Sequence, residues 1–190
     1  MAVTGLIMTL LSMSVSLVYQ RFRTSSQRSD RQQQVLLLSQ RLGVDLRRAP
    51  LASVTVHYQG GDPNAGDLAL SMLTPLTDDG TYQRDAQGDI LYQAYSIYYR
   101  SSTGQDVRWL RAPLATPTAL PVAQAPADMM AAITINPGRS LVRAPAEFRL
   151  LDSAGAPAQV VTDPARLQVV LLGVSGPGRL PFTFVVDQPG

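Results

Sequence analysis

Residues 35–50, V-L-L-L-S-Q-R-L-G-V-D-L-R-R-A-P, read as the closing turns of a helix that docks on a domain. Val35, Leu38, Leu42 and Leu46 recur at three- and four-residue spacing and so share one face, with Gln32, Gln33, Arg41 and Arg48 turned away. Gly43 costs about 1 kcal/mol relative to Ala and weakens the helix without stopping it. Ala49-Pro50 does stop it, because the residue before proline is pushed out of the α region. Upstream, the pattern continues without a break into an apolar run, Val3 to Tyr19, that contains no charged residue. A helix over residues 3–48 would be a rod of roughly 70 Å. Its first half is apolar around its circumference, which suits lipid or other apolar helices as surroundings. One helix is therefore expected to do two jobs, anchoring at its start and docking a domain at its end.

This layout resembles that of type IV pilin-like proteins, the pilins and the pseudopilins of type II secretion. The segment LSQRLGVDLRRAP is similar to the close of the long helix in J-type minor pseudopilins and W-type minor pilins. That family opens its mature helix with G-F-T-L-x-E followed by a hydrophobe and Met, whereas this chain opens M-A-V-T-G-L-I-M-T-L-L. The opening reads like the continuation from that Met, so the reading frame is expected to extend upstream to a short basic leader, a cleavage site and the family's assembly Glu. Without such a leader, Arg21, Arg23, Arg28 and Arg31 after the apolar run would place the domain in the cytoplasm by the positive-inside rule. A basic leader reverses that vote. The apolar run is also short of the ~20 residues of a span, which an upstream extension would repair.

At 190 residues, the chain divides into an anchor and one domain large enough to bury its own core. The expected parts are 1–20, a membrane or filament-core half of the helix; 21–49, its amphipathic half; and 51–190, a globular antiparallel β domain. The formal charge is only +2, every basic residue is Arg, and no basic face interleaved with aromatics stands out, so nucleic acid is not expected as a partner. Cysteine is absent, which removes disulfides, thiolate catalysis and cysteine-ligated zinc.

After Pro50 the period changes from helical to alternating. Val54, Val56 and Tyr58 face one way and Ser53, Thr55 and His57 the other, the pattern of a half-buried strand. Further strands are expected at Asp67 to Leu73, Asp89 to Arg100, Val107 to Arg111, Ile133 to Ile135, Glu147 to Asp152, Arg166 to Val174 and Leu180 to Asp187. GGDPNAGD, SSTGQD, NPGR, DSAG and GPGR supply turn residues between them. Residues 74–89 read as a polar excursion, and residues 112–127, with four prolines and no charge, as a long extended loop. SIYYRSSTGQDVRWLRAP and EFRLLDSAG followed by RLQVVLLGV are similar to the middle hairpin and late strands of J-type and W-type proteins.

Chemistry has few places to sit. His57 is the only histidine, and alternation puts it on the polar face of a strand, as a solvated side chain more readily than a general base. Asp78, Asp79, Asp85 and Asp89 carry oxygen ligands for calcium, but without EF-hand spacing and in Asp-Gly turn contexts. Glu147 has no second carboxylate at a diagnostic spacing. Tyr92, Tyr95, Tyr98 and Tyr99 make either a binding platform or, as is commoner, cross-strand packing. No catalytic residue, cofactor site or metal site is expected.

The expected fold is α+β, a long N-terminal helix on an antiparallel sheet. The resemblance implies a structural minor subunit near a filament tip that primes assembly with other minor pilins or pseudopilins. It also implies a single pass through the bacterial inner membrane, with the domain in the periplasm. Residues 3–19 would meet lipid, and Val3, Leu6, Ile7, Leu10, Leu11, Val15 and Leu17 would serve both membrane storage and assembly. The alternatives are a membrane-anchored binding domain that works alone through its tyrosine-rich sheet and, more remotely, a hydrolase.

Overall fold

The computed structural model describes residues 36–58, 67–101, 106–143, 146–151, 157–158, 165–172 and 179–186, together with isolated positions at 19, 21–22, 30 and 33–34. Val3, Leu6, Ile7, Leu10, Leu11, Val15, Leu17 and Val35 lie outside the described residues. The chain forms two compact units, Met1–Leu37 and Leu38–Gly190. In the first, the described positions are helical, with Leu36 and Leu37 exposed. Among the described residues, no helix is long and apolar enough to cross a membrane.

The second unit begins with α1, residues 38–48. Its helix ends as the Ala49-Pro50 pair dictates: the Ala49 amide makes the last bond, to the Asp45 carbonyl at 3.0 Å, and a 3-10 turn at Leu51–Ser53 follows. Ser53 fixes that turn in place. Its hydroxyl donates to the Pro50 carbonyl at 2.7 Å and accepts from the Leu73 amide at 3.1 Å.

The strands are β1 (Thr55–Tyr58), β2 (Asp67–Thr74), β3 (Gln83–Arg84), β4 (Ile90–Arg100), β5 (Val107–Thr118) and β6 (Arg139–Val142), followed by β7 (Ala146–Leu151), β8 (Pro157–Ala158), β9 (Ala165–Leu172) and β10 (Arg179–Val186). All pairings are antiparallel. The first sheet runs β1-β2-β4-β5-β6, with β3 beside the start of β4; a second runs β10-β9-β7-β8. A second helix, α2 (Pro126–Ile135), precedes β6.

Register sorts the first sheet into two faces. Val56, Leu70, Tyr98 and Trp109 form one cross-strand row, and Met72, Ser96 and Arg111 the next, on the side that meets α1. Thr55, Ser71, Ile97 and Leu110 form a row on the opposite side. There Met129 of α2 packs against Ala69, Ile97, Tyr99 and Leu110, with Tyr95, Ala112, Ala132 and Ile133 around it. α1 covers one face and α2 part of the other, and β7 of the second sheet packs against β1 and β2, so residues on both sides of the strands are buried.

Five expectations are corrected. Ser53 and Thr55 do not make a solvated face; both are buried, and β1 and β2 are in contact with β7 of the second sheet. Residues 112–118 are not loop but the second half of β5, and Ile133 to Ile135 are the last turn of α2, not a strand. Residues 74–89 are not a plain excursion: Leu76 bridges Tyr82, and β3 pairs with β4, across two tight turns. Arg41 is not turned away from the domain; it lies over the Trp109 ring.

Candidate functional site

A connected network of part-buried polar side chains lies where α1 crosses the sheet. Leu38, Leu42 and Leu46 are buried, so the face of α1 that carries them is the one applied to the domain. Arg41 and Asp45 flank that stripe, one position before Leu42 and Leu46 respectively, and therefore sit at the boundary between buried and exposed sides. Asp45 Oδ2 accepts two hydrogen bonds from β4, from Ser96 Oγ at 3.0 Å and from the Tyr98 hydroxyl at 2.6 Å. Ser96 Oγ in turn accepts from Trp109 Nε1 at 2.7 Å. The carboxylate, two hydroxyls and the indole N–H make one connected network in which every donor has an acceptor.

Burial, then the neighbouring Asp45 charge, pushes the Tyr98 phenol far above its ordinary range, outweighing the nearby Arg41. Tyr98 is thereby held as a neutral donor. Arg41 lies 4.2 Å from the Trp109 ring centroid and Arg139, from β6, 4.7 Å. Register explains the second contact, since Arg139 is the cross-strand partner of Trp109. Three strands and a helix converge on one indole.

A second fixed point lies on the other face. The Tyr95 hydroxyl donates to the Val122 carbonyl at 3.0 Å, and Ser71 Oγ donates to Gln124 Oε1 at 2.5 Å. These two bonds hold residues 119–125 across β4 and β2, so that Pro126 can open α2, where its missing N–H costs nothing. At the far end of α2, the Pro137 carbonyl accepts from Tyr99 and from Arg108.

The residues singled out for chemistry are placed apart from one another. His57 is half-buried on the α2 side of β1, opposite Ala69, and among the described residues no carboxylate hydrogen-bonds it. Asp78 pairs with Arg111, which also donates to the Leu76 carbonyl at 2.5 Å. Asp85 Oδ1 accepts from the Gln87 amide at 2.9 Å and the Asp89 amide at 2.8 Å, closing its own turn. Among the described residues, no three His, Asp or Glu side chains gather as a metal site. Glu147 stands in β7 opposite Val170. The four tyrosines do not share one platform: Tyr98 faces α1, Tyr95 and Tyr99 face α2, and Tyr92 is half-exposed near the start of β4.

Sequence reasoning missed Arg41, Asp45, Ser96, Trp109 and Arg139. The available signal was the Arg41/Asp45 pair at four-residue spacing beside the leucine stripe, opposite a strand that alternates Ser96 and Tyr98 on one face. No family model, curated protein or solved structure matches the chain.

Proposed function

We propose that this chain is a structural, non-enzymatic minor subunit of a type II secretion pseudopilus or a type IV pilus. In this reading residues 3–19 hold it in the bacterial inner membrane by a single pass, with the domain in the periplasm, and the same apolar faces later pack among the helices of the filament. It acts near the tip, priming assembly together with other minor subunits. The observation that carries the reading is the seating of α1 on the sheet, through Leu38, Leu42, Leu46 and the bonds to Asp45, in a chain that runs from helix to antiparallel β domain. A helix held by both leucines and charge-assisted hydrogen bonds is a stem fixed to its domain, as a subunit positioned by its helix requires.

Leu10→Arg tests this. The substitution should cost about 2.5–3.5 kcal/mol in membrane insertion and abolish co-purification with other minor subunits. Normal assembly of the Leu10→Arg variant would remove the helix as the assembly element. His57→Ala should leave assembly unchanged; loss of function in a folded His57→Ala protein would return the enzymatic reading.

A further inference from the structure

Trp109 carries two cations on one ring, Arg41 at 4.2 Å and Arg139 at 4.7 Å from its centroid. One guanidinium over an indole is common and favourable. Two beside the same half-exposed ring repel each other, and the arrangement asks for an anion. Among the described residues, the ion pairs are Arg108 with Asp106 and Arg111 with Asp78, and neither Arg41 nor Arg139 has a carboxylate. Asp45, the acid nearest Arg41 along α1, is engaged by Ser96 and Tyr98. Arg41 Nε is buried without a hydrogen-bond partner and the side chain also acts on the Tyr98 hydroxyl, so a ligand would meet the outer part of this half-buried guanidinium. Arg139 is exposed at the start of β6, the edge strand of its sheet.

We infer that Arg41, Trp109 and Arg139 form a receptor for an acidic segment of a partner protein, each guanidinium taking a carboxylate. A guanidinium fork matches a carboxylate in two parallel hydrogen bonds, and the ring holds both forks in place before the partner arrives. Tryptophan and arginine are also the residues that dominate protein–protein binding energy. Nucleic acid would ask for a basic stripe with several stacking aromatics, and an anionic membrane for a cluster of about four to eight cations. Two guanidiniums about a single indole, on a chain of net charge +2, fit a short acidic segment better than either. The inference rests on the proposed function only for who presents that segment, another minor subunit.

Trp109 is the only tryptophan, so its emission reports this site directly. The full chain in detergent micelles is titrated with hexaglutamate peptide. The expected result is a saturable change in emission that weakens as ionic strength rises past about 0.15 M, with affinity about tenfold lower in Arg139→Gln. Arg139 is exposed, so this variant should melt like the parent. An absent or unsaturable response, or equal affinity in Arg139→Gln, overturns the receptor. Tighter binding of a single-stranded oligonucleotide or of phosphatidylglycerol vesicles, lost in the same variant, overturns the acidic protein in favour of a phosphate ligand. If Arg139→Gln loses hexaglutamate but co-purifies normally with minor subunits, the partner assignment falls and the filament reading stands. If Leu10→Arg assembles normally while the titration behaves as expected, the filament reading falls and the receptor stands.

Discussion

The Tyr98 hydroxyl donates to Asp45 Oδ2 at 2.6 Å, joining the first helix of the domain to the middle of its sheet. The acceptor is a carboxylate, so the bond belongs to the stronger class, worth about 1.5–3 kcal/mol. Tyr98→Phe leaves Asp45 with Ser96 alone and should lower stability by about that amount, read as a reduced midpoint in denaturant with an unchanged slope.

The same pair sets an alkaline limit. Burial and the Asp45 charge raise the Tyr98 pKa in the folded state, so the folded protein holds that proton more tightly than the unfolded chain. The contribution is complete below the ordinary tyrosine value of about 10 and is lost as pH rises above it. Melting temperature should therefore fall steeply above about pH 10 in the parent and less steeply in Tyr98→Phe. Equal alkaline limbs would show that Tyr98 does not govern the transition.

Asp106 acts at the opposite end of the scale. Desolvation pushes its carboxyl up, but hydrogen bonds from Ser101, Ser140 and Arg108 outweigh this and hold it below its ordinary value. A lowered folded pKa gives stability that is present above the ordinary carboxylate value and lost as pH falls through the folded one. Asp106→Asn should flatten the acid limb of a stability curve below about pH 4, with little change in the alkaline limb.

Leu42 is fully buried, whereas Val44, two residues on, is 37% exposed. Leu42→Ala should cost about 2–5 kcal/mol, and Val44→Ala should stay within about 0.5 kcal/mol. Similar losses from both would mean that α1 is not seated as described.

Gly138 and Gly88 both adopt left-handed backbone, at φ of 59° and 91°. Their surroundings differ. A Cβ at Gly88 meets open space, while at Gly138 it would run into the Trp109 carbonyl and come 2.9 Å from Leu110 Cβ. Gly88→Ala should cost about 1–2 kcal/mol from backbone strain alone. Gly138→Ala should cost clearly more, and should shift Trp109 emission because it displaces the β5 backbone at the indole.

Much of the β framework is legible in the sequence because alternation and turn residues are local signals. β2, β4, β7, β9 and β10 all fall within two residues of their expected bounds, and α1 ends where Pro50 requires. α2 was hidden for a physical reason. It packs small and apolar residues against the sheet without an amphipathic period, follows a proline-rich segment, and closes with the β-branched run Ile133-Thr134-Ile135. The polar network was hidden for another. Arg41 reads as solvent-facing on any helical wheel, and only a sheet offering an indole and two hydroxyls at that spot makes the boundary position attractive. Ser53 and Thr55 read as exposed because alternation reports polarity, not the layer that later covers it.

The central placement of β4 has a mechanical consequence. The strand is paired on both edges, by β2 on one side and β5 on the other, and its Ala94 to Tyr99 stretch lies between α1 and α2. Its amides should be the slowest in the domain to exchange with deuterium, opening only with the whole fold. A pull along α1 is thus delivered through Asp45 to the most protected strand of the sheet, loading it across its width and not peeling it from an edge. Such a domain would follow its stem as a rigid load, and under tension the contacts of the helix should yield before the sheet unzips.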